Sequence, residues 1–500
     1  MQRVYGALAA VGGAIWSAAL SLLAVRIYVS QLGIEAYGLI GFFVSLQAIL
    51  LVLDLGLAPA ISREVARTST LGQIEIARIL VHTTSRIYWL MGIAIAGAIA
   101  AAALPLATGW LDTRRLGSGE IAQTIMLMGL VIGCRWPVAV YQNVLIGLGR
   151  LGIASLASAA ISTVMTMGSI AAVLLIEPSL KALFLTQAVV ALAAALAMRS
   201  LAWRALGGHH RAPVQWGAVR RIWKFSAGMG GVAITTIALT QLDKALLSRL
   251  LPLASFGEYM LAVTLVTGVS VILGPLFNLI YPQFSALVAA ERHDVLRRLY
   301  DDWSRAFAVL YLPLVIALGL YASDIVSIWT GHADIGARVA PFVGLLCVGW
   351  AINGMMFFPY SLQLAYGQSR MPLLINSILL VVFAPLILFL TAHFGALGGA
   401  GAWAGLQTIY LFLGTYLTRR WIGIGGLPWL WRSVAVPAAV CAAVGIALQP
   451  LISYAPAGSM LKLALIVAST GVAPLLFLLI SPGLRSTFAS RLNIPDTVPA

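Results

Sequence analysis

Fourteen mostly apolar stretches recur along the chain, centred near residues 18, 48, 96, 133, 165, 192, 236, 270, 316, 351, 383, 408, 441 and 470. Each reaches the roughly 20 residues that an α-helix needs to cross a bilayer. Backbone polar groups find no water in lipid, so these stretches are expected to be helices. Proline inside them, at Pro137, Pro275 and Pro359, predicts kinks rather than breaks. The first apolar stretch follows "MQRVYGALAAVGG" and runs to about Val29. It is too long for a signal-peptide core, so it reads as an uncleaved first span.

Composition agrees with a membrane. Of 500 residues, 61% are hydrophobic and 9% charged, against about 25% charged in a soluble domain. The formal charge of +15 raises the question of nucleic acid. Sorting the loops answers it. With the N-terminus in the cytoplasm, 22 of the 31 Lys and Arg residues fall on the cytoplasmic side and 7 on the other, leaving Arg135 and Lys244 within spans. That bias predicts cytoplasmic N- and C-termini and accounts for most of the basic charge without nucleic acid. Cys134, Cys347 and Cys441 all lie in apolar runs, which argues against a disulfide framework or a metal site.

The chain repeats itself. "EAYGLIGFF" (35–43) matches "ASFGEYMLA" (254–262), with Gly38 over Gly257 at an offset of 219. The same offset sets Arg78 over Arg297 and Ser85-Arg86 over Ser304-Arg305, and an offset of 218 sets Gly149 over Gly367. Six spans separate the copies, so they share an orientation. An all-α membrane protein follows, with two parallel pseudo-symmetric six-helix lobes around a central cavity and two further helices. The expected division is 1–205 and 225–420 for the lobes, 206–224 for a cytoplasmic linker, and 421–500 for the extra helices and tail.

"VSQLGIEAYGLIGFFVSLQAILLVLDLGLAPAISREVAR" (29–67) resembles the N-terminal signature of polysaccharide-repeat flippases (Wzx-type). These belong to the multidrug/oligosaccharidyl-lipid/polysaccharide exporter superfamily. "QLDKALLSRLLPLASFGEYMLA" (241–262), "GPLFNLIYPQFSAL" (274–287), "AYGQSRMPLLINSI" (365–378) and "FGALGGAGAWAGLQ" (394–407) extend the resemblance over roughly residues 5–420. It implies movement of undecaprenyl-pyrophosphate-linked oligosaccharide repeat units to the outer leaflet by alternating access, for O-antigen, capsule or exopolysaccharide. It implies no cofactor. A proton or sodium ion would couple the cycle, and membrane lipids, a polysaccharide polymerase and chain-length machinery are the expected partners.

Charge within a span costs about 2.5–3.5 kcal/mol at a helix centre, so each such residue needs a reason. Arg135, in "GCRWPV" (133–138), lies near mid-membrane and faces either a cavity or a buried salt bridge. Its fork suits a diphosphate. Asn353 is its repeat counterpart. Asp243 and Lys244 are neighbours about 100° apart on a helix, so they are not expected to pair with each other. Lys244 then faces an anionic substrate in a wet cavity, or snorkels outward. Arg26, late in span 1, is a candidate for the same cavity or for the outer headgroups. Asp54, in "LVLDLGLAP", is a candidate for coupling, a salt bridge or a helix break, and Asp243 for coupling or a structural ion pair. If Arg26, Arg135 and Lys244 share a cavity with Asp54 and Asp243, its balance is +1, which favours an anion. Asp324, near an outer end, reads as interfacial.

Other signals carry less. "GLGRLG" (147–152) joins two spans rather than a strand and a helix, so it reads as a turn, not a dinucleotide site. His209-His210 sit in a polar loop without further ligands. Gly129-xxx-Gly133 and Gly401-xxx-Gly405 fit close helix packing. Segments 205–224 and 285–304 are basic and amphipathic and are expected along the cytoplasmic surface. The sequence shows no nucleotide-binding loop, which argues against transport powered by its own ATP hydrolysis, and its largest loops, roughly 20 residues, are short for a catalytic site, so the chain is not expected to be an enzyme. The rival readings are a multidrug or peptidoglycan-precursor (lipid II) transporter, and a membrane-embedded glycosyltransferase or polysaccharide polymerase.

Overall fold

The computed structural model describes residues 2–113, 116–208, 215–368, 370–456 and 459–480. His209, His210, Arg485 and Arg491 lie outside the described residues. The chain forms two compact units, residues 1–260 and 261–500. Both are helical; the described residues hold one isolated bridge, Asp112 to Pro252, where the Leu253 N–H donates to the Asp112 carbonyl at 2.8 Å.

The first unit contains α1 (Gln2–Leu50), α2 (Leu57–Thr70), α3 (Ile74–Pro105), α4 (Ser118–Arg135), α5 (Val138–Gly147), α6 (Leu151–Ala171), α7 (Leu180–Ala205) and α8 (Trp216–Leu250). The start of α9 (Leu253–Val269) also belongs to it. A straight helix of 49 residues would measure about 74 Å, more than twice the hydrocarbon core. Gly33 resolves this by leaving helical geometry at φ 85°, ψ 169°, a region open to glycine. Pro137 behaves as expected. The backbone stays right-handed at Trp136 and Pro137 while α4 gives way to α5.

Close helix approach decides the packing of this unit. A Cβ on Gly92 would lie 2.4 Å from the Gly133 carbonyl oxygen, and one on Gly129 would lie 3.0 Å from Ile99. Gly129-xxx-Gly133 is therefore the seam between α3 and α4, as its spacing predicts. A Cβ on Gly147 would lie 2.5 Å from the Ser62 carbonyl oxygen, which brings α5 onto α2.

The second unit contains the rest of α9, then α10 (Leu273–Ala289), α11 (His293–Leu320), α12 (Ala322–Thr330), α13 (Ala333–Ala365), α14 (Arg370–Ile422), α15 (Leu427–Trp429), α16 (Val436–Ser453) and α17 (Met460–Ile480). Gly395 breaks the 53-residue α14 at φ 57°, ψ −135°. Here one expectation fails. A Cβ on Gly401 meets nothing within 4 Å, and one on Gly405 meets only Leu386 at 3.6 Å. The tight position is Gly398, whose Cβ would fall 2.0 Å from the Leu390 carbonyl oxygen across the break. Gly398 serves the bend within α14, and neither Gly401 nor Gly405 makes a close crossing between helices.

Segment 285–304 is divided between two helices, the end of α10 and the start of α11. Residues 293–304 are the first turns of α11, continuous with its apolar part, and Leu296, Tyr300 and Ser304 are buried along one face. The last two helices are tied to this unit. The Lys462 ammonium donates to Asp324 at 2.7 Å, and the Tyr321 hydroxyl donates to the Gly445 carbonyl at 2.6 Å. Asp324 is therefore half of an ion pair, not merely interfacial.

Ten described helical stretches are long and apolar enough to cross a membrane. Two of them, through α1 and α14, divide at Gly33 and Gly395. With α8 and the α9–α10 pair, the described helices correspond to the fourteen apolar stretches.

The repeat is written into the turns. Gly72 (φ 70°) and Glu291 (φ 54°) occupy equivalent left-handed positions at the 219 offset. The next residues close matching bonds, Gln73 to Thr68 and Arg292 to Leu287. Gly149 and Gly367 do the same, with Arg150 bonding Leu145 and Gln368 bonding Gln363 at 2.9 and 3.0 Å. Such bonds satisfy the carbonyls left open at a helix end. "GLGRLG" is thus a helix-terminating turn, as expected.

Candidate functional site: a cavity in the first unit

The span holding Asp54 is interrupted. After α1 a single 3₁₀ turn, Leu51–Asp54, leads into Leu55 (φ 47°) and Gly56 (φ 75°), both left-handed. The chain then restarts as α2. The break frees the first backbone N–H groups of α2, and Asp54 answers one of them: its Oδ2 accepts from the Ala58 N–H at 3.3 Å. Its Oδ1 accepts from the hydroxyl of Tyr88 on α3. Asp54 is half-buried and Tyr88 almost fully buried. Of the roles open to Asp54, the helix break is realised. Among the described residues it closes no ion pair.

Beside it opens a cavity of about 750 Å³. Asp54, Tyr88, Arg135, Gln47 and Gln142 line it, with Ser158 and Ser162 of α6 and Trp136. Arg135 is the last residue of α4, immediately before the Trp136-Pro137 turn. It is exposed on the cavity wall and makes no hydrogen bond or ion pair among the described residues. An uncompensated guanidinium in a largely apolar surround retains its capacity for bidentate bonding to oxyanions. The amides and hydroxyls around it supply neutral donors and acceptors of the kind that read sugar hydroxyls.

The remaining candidates lie elsewhere. Asp243 and Lys244 on α8 do pair, contrary to expectation. Lys244 Nζ lies 2.9 and 3.0 Å from the two Asp243 oxygens and 2.7 Å from the Thr240 carbonyl. The 100° between neighbours is overcome by the long lysine stem, which folds back one turn towards the helix N-terminus. Asp243, 1% exposed, also accepts from the Tyr259 hydroxyl at 2.6 Å. Neither residue lines the 750 Å³ cavity. Arg26 is exposed on α1 and does not line it. Asn353 sits on α13 in the second unit, donating to Gln407 Oε1 at 3.4 Å. Of the six candidates, the cavity brings together Arg135 and Asp54, one charge of each sign.

Sequence reasoning did not single out Tyr88, Tyr259, Gln47 or Gln142. Two tyrosines meet two intramembrane aspartates, and a buried phenol needs a partner. The presence of both residue types in apolar runs was a usable signal, though not one that names the pairs.

Helices broken at glycine, a doubled turn pattern and a cavity that carries a few polar groups on a largely apolar wall define a multi-pass membrane protein of transporter architecture. The structure superposes on an inward-facing multidrug-resistance MATE transporter of the MOP superfamily with a TM-score of 0.67, at 14% identity, over 81% of this chain and 94% of that one. It superposes on the lipid II flippase MurJ, in an inward closed conformation, with a TM-score of 0.68, at 11% identity, over 96% and 98%. At these identities the likeness is one of fold.

A family model described as polysaccharide biosynthesis protein matches residues 4–288, and the chain belongs to that family. A putative O-antigen transporter of Shigella flexneri is 20% identical over 185 residues, which is 37% of this chain and 43% of that protein. The alignment thus spans less than half of that relative's length.

Proposed function

We propose that the protein is a flippase that moves undecaprenyl-pyrophosphate-linked oligosaccharide repeat units across the bacterial inner membrane for surface polysaccharide synthesis. The observation that carries this reading is Arg135, unpaired on the wall of a 750 Å³ cavity. Arg135 binds the diphosphate as it crosses, Gln47, Gln142 and Ser162 contact the first sugars, and the lipid tail stays in the bilayer. Arg135 closes no ion pair among the described residues, which leaves its fork free to bond two oxygens of an arriving diphosphate. Asp54 is the coupling or gating carboxylate, held by Tyr88 at the break before α2. Family membership and the O-antigen transporter relative support the substrate class. N- and C-termini in the cytoplasm and alternating access belong to the same proposal.

The test is the leaflet distribution of lipid-linked sugars in a strain lacking the gene. Complete repeat units should accumulate on the cytoplasmic side and be cleared by the wild-type gene but not by Arg135→Ala. Truncated units would instead assign a glycosyltransferase, and complete units stalled outside a polymerase. An unchanged pool would turn the assignment to multidrug export.

A further inference from the structure

A second pocket, of about 300 Å³, lies in the second unit, far along the chain from Arg135. Four arginines line it: Arg297 and Arg305 from α11, Arg419 from the end of α14, and Arg432 just before α16. One carboxylate, Asp301, stands among them. Two of the arginines have structural work: Arg297 and Arg419 donate to the Gly423 carbonyl at 3.0 and 2.8 Å and so hold the glycine-rich loop after α14. Arg305 and Arg432 neither donate a hydrogen bond nor close an ion pair among the described residues. Four positive charges against one negative in so small a space repel one another, and among the residues that line the pocket Asp301 is the one acid.

A second observation is independent of charge. Trp429 and Ser433, 3% and 1% exposed, form part of the same wall. The indole Nε1 of Trp429 and the Oγ of Ser433 are buried without a hydrogen-bond partner. Buried donors are nearly always satisfied in a folded protein, and exceptions call for an explanation. Here an oxyanion would answer both the orphaned donors and the excess charge.

We propose that this pocket holds the phosphate of an anionic phospholipid headgroup. Its rim decides for lipid over a soluble phosphate. Trp421, Leu427 and Trp431 are strongly exposed around the loop from α14 to α16. Tryptophan at a helix end marks the level of the headgroups, and an exposed leucine there offers an acyl chain somewhere to lie. Arg297, Arg419 and Arg432 come from helix ends and Arg305 from the first half of α11, in segments that belong to the basic excess, where basic pockets between helices meet anionic lipid. The site is separate from the translocation cavity and does not depend on what that cavity carries. Bound lipid would lock α11, the end of α14 and the start of α16 together.

The test uses the purified full chain in detergent, titrated with short-chain phosphatidylglycerol, short-chain phosphatidylcholine or inorganic phosphate, and read by native mass spectrometry and thermal melting. Phosphatidylglycerol should bind at least tenfold more tightly than phosphatidylcholine. Arg305→Gln with Arg432→Gln should weaken it at least tenfold. Arg298→Gln, whose side chain donates only to the Asp294 carbonyl of its own helix, should leave it unchanged. Asp301→Asn should strengthen binding severalfold, a gain that misfolding cannot mimic. Equal binding of the two lipids, no effect of the double substitution, or weaker binding by Asp301→Asn would each overturn the site. Inorganic phosphate matching phosphatidylglycerol would overturn the lipid source.

Discussion

Gly38 and Gly257 stand at repeat-equivalent positions and press against each other where α1 and α9 cross. A Cβ on Gly38 would lie 2.3 Å from the Leu253 carbonyl oxygen, and a Cβ on Gly257 would lie 2.3 Å from that of Ile34. Leu253 and Ile34 are themselves one offset apart, so each half of the crossing repeats the other. The obstacle is backbone, which cannot rotate away. Gly38→Val and Gly257→Val are each expected to cost about 1–3 kcal/mol through overpacking. Thermal melting in detergent measures it, with Gly97→Ala as control, since a Cβ there meets nothing within 4 Å.

Arg135→Ala is expected to abolish export of surface polysaccharide while leaving the protein in the membrane at normal level. Arg135→Lys keeps the charge but loses the fork and should retain partial export, reduced about tenfold if a bidentate contact worth about 1.5 kcal/mol is lost. The readout is polysaccharide per unit of membrane-inserted protein. Wild-type export by Arg135→Ala removes the residue from the pathway.

Asp243 and Lys244 call for a double-mutant comparison. Asp243→Asn leaves the Lys244 ammonium without a counter-charge in a buried setting and should destabilise by about 3–5 kcal/mol. Replacing both, Asp243→Leu with Lys244→Met, removes the uncompensated charge and should cost far less than the single change. Melting temperatures in detergent separate the cases. If the double variant melts near wild type and still exports, the pair is structural. If it melts near wild type and fails to export, Lys244 acts on the substrate.

Glu291 holds a left-handed turn that its counterpart Gly72 holds without a Cβ. Left-handed geometry costs a non-glycine residue roughly 1–2 kcal/mol. Glu291→Gly is therefore expected to raise the melting temperature, and Gly72→Ala to lower it. Opposite signs from the same turn in two places are the measurement to look for.

The spans and the repeat were legible in the chain because each rests on a one-dimensional signal, apolar length and a constant offset. A third such signal, a charge where charge is rare, singled out Arg135. What failed needed the third dimension. The angle between neighbouring residues on a helix said that Asp243 and Lys244 diverge, but the reach of the lysine stem decided the outcome. Glycine spacing located the α3–α4 seam at Gly133, yet the same spacing at Gly401 located no crossing, because Gly395 breaks α14 and the close approach falls at Gly398 instead. The partners of Asp54 and Asp243 are tyrosines on other helices, and nothing local to either aspartate points to them.

The ion pair between Asp324 and Lys462 spans 138 residues of chain. During synthesis at about 5–20 residues per second, the carboxylate emerges on the order of ten seconds before its partner exists. Until α17 has been made and inserted, α12 carries an unneutralised acid at its first turn. A chain that stops before α17 thus keeps an acid with no match, and the completion of α17 supplies it.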